Sequence, residues 1–120
     1  MPDDIEAAIQ AQQLDAPRVT PQDITDSIAE AHFFIAGDAI RQTDANYVQT
    51  EYRIGPLFLL TICVLVLRNG FTVTGTSACV SPERFDAGIG ERVALEDAKR
   101  QMWPLLGYAL KEQLHQFQET

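Results

Sequence analysis

The chain has 120 residues, of which 46% are hydrophobic, and its 9 basic and 17 acidic residues give a formal net charge of −8. This length fits one domain with a core of moderate stability. The negative charge argues against double-stranded nucleic acid and anionic membranes as partners, because both require basic surfaces. The longest apolar stretch, Pro56 to Leu67, is shorter than the roughly 20 residues of a membrane-spanning helix.

The N-terminal part of the chain is acidic and carries no recognisable targeting segment. Residues 1–30 contain seven acidic residues against Arg18 as the single base. MPDDIEAAIQ lacks the basic start and the apolar stretch of a signal peptide. We predict that residues 1–18 form a flexible acidic arm and that residues 19–120 form a single compact α+β domain.

The first long element is predicted to be a helix over about residues 21–36. Thr20 suits the N-cap and Pro21 suits the first helical position. Apolar residues then recur at spacings of 4, 3 and 4, as on one face of a helix: Ile24, Ile28, Ala31 and Ile35. The segment up to Pro56 has no sustained period and is predicted to be mostly loop, in which a short helical or extended piece could occur.

The stretch CVLVLRNGFTVTG predicts a central β-hairpin with strands at about 59–68 and 71–80. Asn69-Gly70 lies between two β-branched runs, and this dipeptide is typical of a two-residue hairpin turn. The first strand is apolar on both faces, so both faces need a cover. A helix over residues 56–68 is the competing interpretation, because length alone does not separate the two.

The two cysteines are predicted to be free thiols. With a two-residue turn, Cys63 lies opposite Thr76 and Cys79 lies opposite Leu60. Alternation then places the two thiols on opposite faces of the sheet, which argues against a disulfide.

The C-terminal part predicts a long, Pro-kinked helical segment over about residues 82–117. Ser81 suits its N-cap and Pro82 its first position. Gly88 and Gly90 either allow close backbone packing or mark an irregular first turn. Pro104 is expected to kink or break the helix.

Several of these features resemble a family of small tailed-phage proteins labelled gene-49/gene-66. The resemblance rests on NGFTVTGTSAC at residues 69–79, on the helix start VTPQDITDSIAEAHFF, and on single positions downstream: Pro82, Phe85, Asp86, Gly90, Trp103, Gly107 and Tyr108. It covers roughly residues 19–114, leaving out residues 1–18 and the loop 38–56. Gly88 and Leu106 depart from the family pattern. The resemblance implies a phage-encoded accessory protein that works in the host bacterial cytoplasm, in a family without a known biochemical role.

The sequence predicts neither catalysis nor a cofactor or metal. His32 and His115 lie far apart in the chain, and neither has a cluster of metal ligands at a suitable spacing. Ser77 and Cys79 follow the hairpin, but no sequence feature places a base beside them. The GIG at residues 88–90 lacks the lysine of a phosphate-binding loop. We therefore expect a protein that is not an enzyme.

A weak ligand site is predicted around the second hairpin strand. Its threonines alternate onto one face, which is also what ordinary β propensity produces. Hydroxyls near a helix N-terminus, together with two arginines, would suit a phosphate-bearing, nucleotide-like ligand. The candidate residues are Arg68, Thr72, Thr74, Thr76, Ser77 and Arg84.

A homo-oligomer, a dimer or a larger assembly, is also predicted. The helices are expected to cover the sheet face that bears Ile62, Val64 and Val66. The opposite face would then need a second subunit. Its candidate interface residues are Cys63, Leu65 and Leu67.

Three functions are compatible with these features. In the first, the oligomer sequesters a small nucleotide-like defence signal of the host. In the second, the acidic N-terminal quarter docks on a basic surface of a host protein and inhibits it. In the third, the chain is a virion or assembly accessory protein.

Overall fold

The computed structural model describes residues 5–8, 16–44 and 55–119, and within them the protein is α+β. In chain order the elements are helix α1 (Pro21–Asp26), strand β1 (Ile28–Ile35), helix α2 (Ala36–Thr43), a 3₁₀ turn (Pro56–Leu59), strands β2 (Leu60–Leu67) and β3 (Thr72–Ala78), a second 3₁₀ turn (Pro82–Arg84) and helix α3 (Ala87–Glu119). The predicted fold class, the hairpin and the long C-terminal helix are confirmed. The predicted start of that helix at Pro82 is wrong, because residues 82–84 form a separate 3₁₀ turn and the helix begins at Ala87, where Asp86 Oδ1 accepts from the Ile89 N–H.

The three strands form one antiparallel sheet in the order β1-β2-β3. The central strand β2 is therefore paired on both sides, which suits its continuous apolar sequence. At one end of the sheet, α2 packs against the first 3₁₀ turn. Phe58 of that turn is buried and lies so close to Gly37 that a Cβ there would be 2.7 Å from the Phe58 ring.

The predicted helix over residues 21–36 is wrong in its second half. Thr20 and Asp23 form a capping box that starts α1 as expected, but the helix ends at Asp26. Residues 28–35 instead pair with β2. The stretch Ile28–Ile35 is rich in β-branched and aromatic residues, and the unpaired side of β2 offers it a ladder of backbone hydrogen bonds. Tertiary pairing therefore overrides the helical spacing of its apolar residues.

The hairpin turn contains three residues instead of two. The Leu67 N–H donates to the Phe71 carbonyl at 2.8 Å, and the Gly70 N–H donates to the Leu67 carbonyl at 2.9 Å. Gly70 has φ of 90°, the left-handed conformation that closes a three-residue loop with a bulge. Cys63 therefore lies opposite Gly75, one residue away from the predicted Thr76. A shift of one residue exchanges the two faces of a strand relative to its neighbour.

Helix α3 covers the face of the sheet that the sequence assigned to a second subunit. Cys63, Leu65 and Leu67 are 0%, 0% and 6% exposed, in one core with Ala94 and with α3 residues further along. The predicted interface at these three residues is therefore wrong, since they are buried within the single chain. Both cysteines are free, as expected, although the register on which that prediction relied is shifted.

Helix α3 approaches the sheet closely at two glycines. A Cβ on Gly75 would collide with the backbone of Ala94 and Ala98, and a Cβ on Gly90 would lie 2.8 Å from Thr61 Oγ1. Gly90 therefore serves close packing, which decides between the two alternatives for this position. The helix continues through Pro104, and its 33 residues span about 50 Å at 1.5 Å per residue.

Parts of two predicted regions lie outside the described residues. Of the predicted arm, residues 1–4 and 9–15 are not described, and neither are residues 45–54 of the predicted loop. Residues 5–8 are helical, and Arg18 donates to Glu6 at 2.6 Å. Within the described residues, no helix is both long enough and apolar enough to cross a membrane.

Candidate functional site

The sheet face turned away from α3 is the main candidate surface, and we call it the open sheet face. The strand register places one set of alternating side chains from each strand on it. Its members are Glu30, His32 and Phe34 of β1, Ile62, Val64 and Val66 of β2, and Thr72, Thr74 and Thr76 of β3.

The open sheet face has an apolar centre between two polar margins. Ile62, Val64 and Val66 are only partly buried in the folded chain, and Phe34 beside them is 40% exposed. On the β3 side the three threonines are exposed. On the β1 side, His32 Nε2 and Glu30 Oε1 lie 2.9 Å apart, within hydrogen-bond distance, and both side chains are exposed. A three-stranded sheet therefore presents an apolar row to solvent along its central strand.

The structure brings together three of the six predicted ligand-binding residues. Thr72, Thr74 and Thr76 share the open sheet face, opposite Val66, Val64 and Ile62. The predicted two-residue turn placed Thr76 opposite Cys63 instead of Ile62, which is wrong because the turn is one residue longer.

The other three predicted ligand-binding residues lie elsewhere. Ser77 pairs with Thr61 on the side that faces α3. Arg68 is tied to the end of α1, since its Nε donates to the Asp26 carbonyl. Arg84 lies in the second 3₁₀ turn, beyond the end of β3. The two arginines therefore do not flank the threonines as a phosphate site would require.

Sequence reasoning missed the contribution of β1 to this surface. Glu30, His32 and Phe34 were assigned to a helix, so their alternation onto one sheet face was overlooked. The available signal was the run HFFI at residues 32–35, whose aromatic and β-branched residues favour a strand.

Side chains of α3 occupy the outer edge of β3. Asp97 Oδ2 accepts from the Thr76 N–H at 2.9 Å, and Gln101 Nε2 donates to the Thr74 carbonyl at 2.8 Å. The hydrogen bond from Thr76 holds the pKa of Asp97 below its usual value, with Arg100 at 2.9 Å adding to the effect. These two side chains replace a neighbouring strand, so this edge is closed to further pairing.

Two grooves run along α3 where the chain before β1 crosses it. One, of about 630 Å³, has Val19, Leu106 and Leu110 among its lining residues. The other, of about 690 Å³, is lined in part by Ile24 and Trp103. Both are open to solvent, and their walls are mainly apolar.

The described residues contain no group of three or more His, Cys, Asp or Glu side chains that could hold a metal ion. Burial raises the pKa of the Cys63 thiol. A buried thiol with a raised pKa stays protonated, and the thiol is a poor nucleophile in that form. Cys63 is therefore a structural core residue.

The family of the chain follows from comparison with known proteins. The model of the phage protein (N4 Gp49/phage Sf6 gene 66) family matches residues 19–114. The chain belongs to this family. The resemblance seen in the hairpin and helix motifs is thereby confirmed, and the matched residues contain all three strands of the sheet and most of α3. Comparison with curated proteins and with solved structures found no match.

Proposed function

We propose that this phage protein is a stoichiometric binding protein that uses the open sheet face to engage a host protein in the bacterial cytoplasm. One observation carries the proposal: Ile62, Val64 and Val66, with Phe34 beside them, remain at the surface of the folded chain. Contiguous apolar residues with a polar rim are typical of protein interaction sites. A phage accessory protein with such a surface would act by occupying its target.

The composition of the open sheet face indicates the surface chemistry expected of the partner. Its centre would accept an apolar patch, and the threonine hydroxyls can donate and accept hydrogen bonds at the rim. The formal net charge of −8 would favour a partner with basic residues around that patch, since complementary charge accelerates association.

Sequestration of a nucleotide-like signal is a less favoured function. A bound phosphate needs cationic or backbone N–H donors around it. The threonines supply hydroxyls, but Arg68 is bound to the end of α1 and Arg84 lies beyond β3. No specific contact in the described residues favours this function over protein binding.

The test compares two variants that each place a carboxylate on an exposed or partly exposed apolar position. Val64→Glu alters the centre of the open sheet face, and Leu105→Glu alters α3, where Leu105 is 38% exposed. Each tagged protein is recovered from infected cells, and the stoichiometry of any bound host protein is measured after circular dichroism has shown that the variant is folded. We expect an equimolar host protein with the wild type and with Leu105→Glu, and its loss with Val64→Glu.

Two results would contradict the proposal. Equal recovery of the host protein by Val64→Glu and by the wild type would exclude the open sheet face as the binding surface. A saturable calorimetric titration with cyclic or ADP-ribose-type nucleotides, at one ligand per chain or per oligomer, would favour sequestration instead. We expect that titration to be flat.

A further inference from the structure

The two edges of the sheet, β1 and β3, have different contacts with the rest of the chain. The outer edge of β3 is occupied by Asp97 and Gln101 of α3. At the other edge, the described elements that contact β1 most extensively besides β2 are α1, α2 and the first 3₁₀ turn. Helices α1 and α2 adjoin the two ends of β1 in the chain. The described structure therefore leaves the middle of the β1 edge unprotected.

Hydrogen-bond alternation identifies the backbone groups on that edge. Thr74 and Thr76 direct their backbone groups outward from β3 to α3, so their partners Val64 and Ile62 direct theirs toward β1. The even-numbered residues of β1 pair with these positions. The N–H and C=O groups of odd-numbered residues in β1, of which Ala31 is central, therefore point outward.

Strand β1 is also exposed on its faces. Helix α3 packs across β2 and β3, and residues 29–32 are all exposed. The strand contains neither proline nor lysine, which are the residues that most often discourage pairing at a sheet edge. A β-bulge lies only at its beginning, between Ile28 and Glu30. The register from Glu30 to Ile35 is regular, so this segment can accept another strand.

We propose that β1 pairs antiparallel with β1 of a second copy, about a two-fold axis at Ala31, to form a six-stranded sheet. Side-chain complementarity selects this register, because a carboxylate can accept a hydrogen bond from an imidazole N–H. With Ala31 opposite Ala31 of the second copy, Glu30 lies opposite His32 of the second copy. By symmetry, His32 lies opposite Glu30 of the second copy. Moving the axis to His32 would place the two imidazoles opposite each other and Glu30 opposite Phe34 of the second copy.

The geometry of antiparallel pairing supports the same register. Ala31 would form a hydrogen-bonded pair at the axis, and its small side chain leaves space for close approach. Glu30 and His32 of the second copy would then occupy a non-hydrogen-bonded pair, in which the two Cα atoms are only about 4.5 Å apart. Each Glu30 already contacts His32 of its own chain at 2.9 Å, so four side chains of alternating type would form one cluster.

This dimer would enlarge the surface available to a partner. A two-fold axis perpendicular to the sheet keeps both open sheet faces on the same side, with the two β1 strands at the centre. With the axis at Ala31 the regular pairing covers Glu30–His32, because Phe33 would lie opposite Ala29 at the bulge of the second copy. The interface is therefore smaller than the standard of about 800 Å² per partner. We therefore expect a dissociation constant in the micromolar range.

The test measures self-association by sedimentation equilibrium for charge variants at the proposed axis. His32→Glu would put carboxylates opposite each other at both symmetric positions, and should weaken the dimer about tenfold. The double variant Glu30→Lys with His32→Glu should restore it, because a lysine then faces a glutamate at both symmetric positions. Thr74→Glu is the control: it adds a carboxylate to the same face on β3 and should leave the dimer unchanged.

The proposal fails if the wild type remains monomeric throughout the micromolar range, or if the double variant associates no better than His32→Glu. As a second measurement, Ala31→Cys should form an intermolecular disulfide under mild oxidation and Thr74→Cys should not. The result is independent of the proposed host-protein binding, since Ile62→Glu, which lies opposite Phe34 and not opposite His32, should abolish host binding while leaving self-association intact.

Discussion

Replacing Gly75 with alanine should lower the free energy of unfolding by about 2 kcal/mol, because helix α3 rests directly on this glycine. A Cβ at residue 75 would approach backbone atoms of Ala94 and Ala98 closer than any real Cβ contact. Both alanines are completely buried. A backbone cannot rotate away as a side chain can, so the helix itself must move.

Two opposing effects set the magnitude. Overpacking of a core costs typically 1–3 kcal/mol, and a clash with backbone belongs at about the upper end. Alanine is better than glycine in a strand by roughly 0.5–1 kcal/mol, which offsets part of that cost. The difference is about 2 kcal/mol. For a domain of this size it should lower the midpoint of thermal unfolding by about 8 °C.

Urea unfolding followed by circular dichroism measures this change directly. Gly107→Ala is the matched control, because Gly107 lies in α3 with nothing within 4 Å of its potential Cβ. That variant should raise the free energy of unfolding by up to about 1 kcal/mol through helix propensity. A Gly75→Ala variant as stable as the wild type would refute the close packing of α3 on β3.

Two further predictions concern polar groups near α3. Thr61→Val should stabilise the protein by about 1 kcal/mol in urea unfolding, because Thr61 is 1% exposed and its Oγ1 has no hydrogen-bond partner among the described residues. A loss of stability would mean that the hydroxyl has a partner. Because the hydrogen bond from Thr76 lowers the pKa of Asp97 in the folded state, the ionised carboxylate stabilises the fold above its unfolded pKa of about 3.9 and loses this contribution as the pH falls through the folded pKa. The stability difference between the wild type and Asp97→Asn should therefore shrink below about pH 4, and a difference that stays constant from pH 6 to pH 2 would argue against the Thr76 contact.

The hairpin and α3 could be predicted from the sequence because local signals there agree with the tertiary structure. Asn69-Gly70 marks the turn, and the strands on either side are β-branched. What Asn-Gly does not reveal is the loop length, since a glycine with positive φ serves both two-residue and three-residue turns. The third residue in the loop shifts the pairing of β2 and β3 by one position. This shift determines which face of β2 lies under α3 and which face carries the candidate surface.

Strand β1 could not be recognised from its periodicity. Ile28, Ala31 and Ile35 have helical spacing, and the preceding capping box at Thr20 is a genuine helix start. The residues that form the strand do so because β2 has a free side, a fact that depends on a segment more than 20 residues away in the sequence. The polar margin of Glu30 and His32 was therefore missed together with the strand.

The position of β1 in the chain has a consequence for the local unfolding of the protein. Strands β2 and β3 and helix α3 follow one another closely in the chain, whereas β1 reaches β2 across residues 36–59. Closing that longer connection costs additional entropy, and α3 packs mainly across β2 and β3. We expect β1 to detach as a separate cooperative unit, so that its amide protons exchange with solvent while those of the hairpin remain protected.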